Sequence, residues 1–174
     1  MPDSIFADLN WQEEDSSQIK SLPLSTQSWL FDKQSLSLKL KQICEQFEVK
    51  VRSEKWIENL FESEATLLPA DDYLCREVVL FCDGHPWVEA RTLISKGLLS
   101  YHRNLSNLGN KPIGEWLFQQ VTNRELIQWS QDPQSGLYAR RSLFLIEKMP
   151  LLISELFLEN RLITEYNGTN FLSN

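Results

Sequence analysis

Glu155 lies in Leu151-Leu152-Ile153-Ser154-Glu155-Leu156-Phe157-Leu158, a run that otherwise reads as an apolar β-strand. Side chains alternate along a strand, so Glu155 shares a face with Leu151, Ile153 and Phe157, the face a sheet buries. A carboxylate there needs a partner or a job. Without a partner, burial raises its pKa and suits it to proton transfer or to hydrogen-bonding a hydroxyl. The plainer alternatives are a tie to a structural arginine or a place at an exposed edge. Arg76 poses the complementary question. It shares a strand face with Leu74, Val78 and Leu80, and a guanidinium among apolar side chains calls for an anion, best a carboxylate that its fork grips bidentately. Glu77, Glu89 and Glu155 are the internal candidates, and a small carboxylate ligand is the functional one. Arg91 lies on the following strand, in phase with Glu89 and Leu93.

Backbone amides extend the anion site. Ser35 is a plausible N-cap for a helix opening at Leu36, and Pro112 suits the first turn of a helix beginning around Ile113. The first N–H groups of a helix lack intrahelical acceptors and sit at its positive end. Arg76 with the Leu36 and Ile113 amides could therefore hold an acid at one end of a ligand, while Glu155 meets a hydroxyl or ether at the other. Arg140-Arg141 is a further basic pair on a strand, read as one solvated and one paired arginine.

The elements that must position these residues follow from periodicity and turn chemistry. Residues 1–24 form a loosely held, partly disordered N-terminal arm, acidic and polar through Lys20. Ser25 can cap a short helix through Phe31, and Leu36, Leu40, Ile43, Cys44 and Phe47 recur at helical spacing. Alternation then predicts strands over Phe47–Ile57, Tyr73–Cys82, Pro86–Ile94, Glu125–Gln131, Tyr138–Glu147 and Leu151–Leu158. A helix is expected over Leu98–Leu105. Asp83-Gly84 is a strong hairpin signal, and further turns fall at Asp132–Gly136 and Lys148-Met149-Pro150. The fold class is α+β: a single antiparallel β-sheet of about six strands with helices packed mainly on one side. The whole chain, 1–174, reads as one domain ending in a tail over 159–174.

Composition narrows the chemistry. The 174 residues are 42% hydrophobic and 11% aromatic, with six Trp, a profile that folds. A net charge of −7 and a pI of about 4.9 leave no basic footprint for nucleic acid or an anionic membrane. No apolar stretch approaches the roughly 18 residues of a membrane span, and no signal peptide opens the chain. Cys44, Cys75 and Cys82 follow no close metal spacing and read as buried reduced thiols of a cytoplasmic protein. No metal is expected. Gly-rich phosphate loops, a serine-hydrolase elbow and zinc-hydrolase histidine pairs are all missing from the sequence.

The residues that carry the candidate site also carry a likeness. Trp29-Leu30, Leu67-Leu68-Pro69, Arg76-Glu77-Val78-Val79-Leu80, Asp83-Gly84-His85-Pro86-Trp87, Ala90-Arg91-Thr92, Pro112-Ile113-Gly114, Gly136-Leu137-Tyr138-Ala139-Arg140-Arg141-Ser142 and the run from Pro150 to Leu158 together resemble the chorismate pyruvate-lyase family. The resemblance spans about Trp29 to Leu158. It implies an antiparallel sheet with helices, an enclosed site without metal or cofactor, and conversion of chorismate to 4-hydroxybenzoate and pyruvate at the start of bacterial ubiquinone synthesis. It makes Glu155 and Arg76 the catalytic candidates: Arg76 for the ring carboxylate, Glu155 for the hydroxyl end. Leu36 and Ile113 match positions giving backbone contacts, and Arg91 matches a second arginine near the carboxylate region. Leu36 and Ile113 depart from the family's usual methionine and leucine, which affects pocket shape rather than amide chemistry. The expected partners are substrate and product alone, with no nucleic acid and no membrane insertion, acting on a monomer. The rival readings are a non-catalytic small-acid-sensing domain and a chorismate-cleaving enzyme making another hydroxybenzoate isomer.

Overall fold

A computed structural model describes residues 4–120 and 122–158; the tail over 159–174 lies outside the described residues. The elements run β1 (Gln12–Glu13), α1 (Leu24–Leu30), α2 (Leu36–Ile43), β2 (Phe47–Ile57), α3 (Glu62–Ala65), β3 (Tyr73–Cys82), β4 (His85–Ser95), α4 (Lys96–Tyr101), α5 (Ile113–Leu117), β5 (Thr122–Gln131), β6 (Tyr138–Ile146) and β7 (Met149–Phe157). The strands form one sheet in the order β1-β5-β6-β7-β4-β3-β2, every neighbouring pair antiparallel. This is the α+β arrangement the alternation predicts, with a seventh strand.

Turn residues account for the hairpins. Asp83 and Gly84 take φ of 51° and 81° between β3 and β4, the left-handed conformation that a tight hairpin requires. Between β6 and β7 the positive φ values fall on Glu147 and Lys148, at 52° and 68°. The turn therefore precedes Met149-Pro150, which the sequence reading had placed in it, and both residues join β7.

α1, α2, α4 and α5 supply the apolar cover of one sheet face: Trp29, Leu30, Leu36 and Leu40 meet Val78 and Leu80, while Leu98, Trp116 and Leu117 meet Ile94, Phe144 and Ile153. Ser35 caps α2, accepting from the Leu38 amide at 3.3 Å, as its position predicts. α1 starts two residues earlier than a Ser25 cap would set it, with Pro23 in the cap position. The expected helix over Leu98–Leu105 is instead α4 followed by a 3-10 helix over Arg103–Asn107.

Two expectations are overturned. The arm is tied down: Phe6 and Leu9 are buried against Ala139 and Leu156, and β1 pairs with Trp129 and Gln128 of β5. Its scattered Ile5, Phe6 and Trp11 cover the second sheet face. The cysteines do not all stay as thiols. Cys44 ends α2 and Cys82 ends β3, their Cα atoms 5.4 Å apart, and the two form a disulfide; Cys75 alone is free. A helix end packed on a strand end brought together cysteines 38 residues apart in sequence.

Candidate functional site

One pocket lies between the helix-covered sheet face and the starts of α2 and α5. Its lining includes Leu36, Arg76, Ala90, Ile113, Arg124, Arg140, Ser142 and Glu155. Register explains why Arg76 and Glu155 share it. Arg76 sits opposite Thr92, and Thr92 opposite Ile153, two residues before Glu155 on β7. The two side chains thus lie on the same face, about 10 Å apart across the strands and about 7 Å along them. Ala90 stands opposite Glu155, and its small side chain leaves room between them.

Glu155 is 8% exposed, and its Oε1 accepts a hydrogen bond from Arg140 Nε at 2.8 Å. Arg140 is its cross-strand neighbour on β6. The structural-arginine alternative is therefore met, by an arginine that itself lines the pocket. Neither residue of the Arg140-Arg141 pair is solvated, contrary to the sequence reading. Arg140 donates through Nη1 to the carbonyls of Trp29 and Asp32 at 3.1 and 3.0 Å. Arg141 is buried on the other face, donating to Gln128 at 2.7 Å. Asp32 anchors the loop that receives Arg140. Burial alone would raise its carboxyl, but the Gln34 amide and Lys39 outweigh burial and hold it below the ordinary value.

Arg76 is 2% exposed. Its partner is none of the three glutamates the sequence suggested but Glu54, directly opposite on β2, at 3.0 Å. Its Nη2 also donates to the carbonyls of Gly109 and Lys111 at 2.8 and 2.9 Å. Those carbonyls lie just before α5, so one guanidinium fixes the α5 entrance against the sheet. The starts of α2 and α5 are themselves in close contact: a Cβ on Gly114 would stand 3.3 Å from Ser35 Oγ and 3.5 Å from Ser37 Oγ. Lys41 pairs with Glu115 across the same two helices. Leu36 and Ile113, as first helical residues, carry amides without intrahelical acceptors.

Arg91 is not in this pocket. The register of the β3–β4 hairpin shifts between Leu80 and Phe81, and that bulge sets Thr92, not Arg91, opposite Arg76. A one-residue shift moves a side chain to the other face. There Arg91 grips both Glu64 oxygens, at 2.9 and 3.0 Å, and reaches Glu77 at 3.2 Å. Burial alone would lower its pKa, but Glu64 and the other nearby groups outweigh this and hold it above the ordinary value.

The sequence reading missed Glu54, Thr92, Arg124, Arg140 and Ser142. The available signal was phase: Arg140 and Ser142 alternate with Phe144 on one face of β6, and only the position of the following turn tells which face that is.

The description "Chorismate lyase" belongs to the family model that matches residues 5–167. A probable chorismate pyruvate-lyase from Pasteurella multocida (strain Pm70) is 39% identical over 163 residues, covering 92% of this chain and 94% of that one. A second, from Bartonella bacilliformis, is 37% identical over 168 residues, 94% of this chain and 95% of that one. The chorismate pyruvate-lyase of Hamiltonella defensa is 35% identical over 159 residues, 89% of this chain and 88% of that one. A solved structure of a possible transcriptional regulator from Bacillus subtilis aligns with TM-score 0.44 and 12% identity over 64% of this chain and 57% of that one, too distant to carry an argument. On the family match and these relatives, the chain belongs to the chorismate lyase family.

Proposed function

We propose that this chain splits chorismate into 4-hydroxybenzoate and pyruvate, the lyase step that opens bacterial ubiquinone synthesis. The observation that carries this reading is the placement of Arg76 and Glu155 on one sheet face of one pocket. Arg76 and the Leu36 and Ile113 amides hold the ring carboxylate. Glu155, fixed by Arg140, meets the hydroxyl and ether end.

Chorismate needs no oxidant to become aromatic. The ether C–O bond breaks with its electron pair leaving on the enolpyruvate oxygen. A ring proton is lost as the ring becomes aromatic, and the released enolpyruvate takes up a proton on carbon to give pyruvate. The protein's work is orientation and charge stabilisation. Facing Arg140, Glu155 acts as an acceptor, either for a hydrogen bond from the ring hydroxyl or for the departing ring proton.

In this reading the enzyme works as a cytosolic monomer on small molecules alone. The net charge of −7 supports the exclusion of nucleic acid, and no helix among the described residues is long and apolar enough to cross a membrane.

The test is to incubate purified protein with chorismate and separate the products against hydroxybenzoate standards. Stoichiometric 4-hydroxybenzoate and pyruvate are expected. Binding without turnover would sink the lyase reading in favour of a sensor, and a different isomer would reassign the regiochemistry.

A further inference from the structure

The pocket is charge-unbalanced. Three guanidinium groups line it, those of Arg76, Arg124 and Arg140. Arg76 is matched by Glu54 at 3.0 Å and Arg140 by Glu155 at 2.8 Å. Arg124 has no ion pair among the described residues. Its one hydrogen bond there runs from Nη1 to the Asp32 carbonyl at 3.5 Å, and its Nε is buried without a partner. Its guanidinium stacks on Phe144, Cζ lying 4.7 Å from the ring centroid. Burial, then the like charge of Arg140, hold it below the ordinary guanidinium range. A cation in that setting is costly until an anion arrives.

Its place in the sheet says which anion. Along the order β5-β6-β7-β4-β3, Glu155 on β7 is central. Arg76 lies two strands to one side, on β3, and Arg124 two strands to the other, on β5. Arg124 is set opposite Phe144, and Phe144 opposite Leu151, so it shares the sheet face of Arg140 and Glu155. The substrate of the proposed reaction has the same layout, with a carboxylate on the ring, a carboxylate on the enolpyruvyl group and the breaking ether bond between them. Arg91, which the resemblance matches to a second arginine near the carboxylate region, faces the opposite side of the sheet.

We propose that Arg124 binds the enolpyruvyl carboxylate, making it the residue that recognises the leaving group and distinguishes dianionic substrate from monoanionic product. This rests on the lyase reading. Three arginines against two glutamates leave one positive charge for that second carboxylate, while the ring carboxylate is held by Arg76 and helix-start amides in substrate and product alike. Once the ether bond has broken, the three-carbon acid carries its carboxylate away and Arg124 loses its anion. The product keeps its hold at the Arg76 end.

The experiment compares wild type with Arg124→Gln and Arg124→Lys in turnover of chorismate, in calorimetric binding of 4-hydroxybenzoate, and in inhibition by added pyruvate. Wild-type turnover is measured first, because its absence would overturn the lyase reading itself. Given turnover, Arg124→Gln is expected to lower kcat/KM on the order of 10- to 100-fold, the range of a lost charge-assisted contact, with the 4-hydroxybenzoate Kd within about twofold of wild type on the same grounds. Pyruvate inhibition should weaken in parallel. Arg124→Lys, which keeps the charge without the fork, should fall between and serves in its place if the Gln variant does not fold. Equal weakening of chorismate and 4-hydroxybenzoate, or no change in either, would overturn the assignment.

Discussion

Glu155 and Arg140 face each other across β7 and β6, Oε1 to Nε at 2.8 Å, both side chains nearly sealed from solvent. Arg140 is in turn held by the Trp29 and Asp32 carbonyls, so the carboxylate's position is set through the arginine by the end of α1. Glu155→Gln keeps the shape and removes the charge. The expected outcome is a loss on the order of 10² to 10⁴ in kcat if the carboxylate takes the ring proton, read as pyruvate release under saturating chorismate. A near-normal rate would confine Glu155 to hydrogen bonding.

Arg76→Lys tests the other end. Lysine replaces a planar fork by a point charge and also gives up the contacts to Gly109 and Lys111 that fix the α5 entrance. Affinity for 4-hydroxybenzoate should fall by about 10- to 100-fold, the range of lost charged hydrogen bonds, and the chorismate KM should rise with it. Calorimetry giving the wild-type Kd would remove Arg76 from the carboxylate site.

Arg91 carries the opposite expectation. Its guanidinium and the Glu64 carboxylate are both buried and hydrogen-bonded bidentately. Arg91→Met leaves the buried Glu64 carboxylate with the Phe61 amide at 3.0 Å but without a counter-charge, a change that costs about 3–5 kcal/mol in stability. The folded fraction should retain the wild-type KM, since Arg91 lies off the pocket face. A raised KM with unchanged denaturant midpoint would return Arg91 to substrate binding.

The sequence carried residues at the two ends of the candidate pocket and the elements beneath them, and it failed where register rather than periodicity decides. Arg76, Glu155, Leu36 and Ile113 were legible because each is marked by its own strand or helix start. Arg140 was hidden by the placement of one turn. A turn at Lys148–Pro150 would set Leu143 opposite Glu155, whereas Glu147-Lys148 sets Arg140 there. Arg91 was misplaced by one bulge: a regular hairpin continued from the Cys82–His85 pair brings Arg91 opposite Arg76, and the shift after Leu80 substitutes Thr92. Neither feature has a local composition signal, because both depend on how neighbouring strands settle their packing. The arm and the disulfide were illegible for a related reason. Phe6 and Leu9 find their cover on strands more than a hundred residues later in the chain.

The Cys44–Cys82 bridge closes a 38-residue separation, for which loop-closure entropy gives about 4 kcal/mol of stabilisation. Unfolded protein under non-reducing conditions should show the one free thiol, Cys75, and all three after reduction. Reduction, or Cys82→Ala, should lower the denaturant midpoint accordingly. Three thiols without reductant would show that the pair stays open.

Alkaline pH should find a weakness on the face away from the pocket. Burial pushes the Cys75 thiol from 9.0 up to about 11; Glu77 and Glu64 add to the rise and Arg91 opposes it. Burial and then Asp71 push the Tyr73 hydroxyl from 10.0 up to about 12, and that hydroxyl donates to the Pro69 carbonyl at 2.7 Å. In both cases the fold favours the protonated form more than the unfolded chain does. Their contribution is therefore complete below the unfolded values, near pH 9 for the thiol, and is lost as pH climbs through the folded ones. The melting temperature should fall from about pH 9 toward pH 12, and Cys75→Ala should remove the earlier part of that decline while leaving the part due to Tyr73. The Cys75 thiol should also resist alkylation in the native protein at pH 8, because so little of it is thiolate. An unaltered pH profile in Cys75→Ala would show that this buried thiol does not govern the alkaline limit.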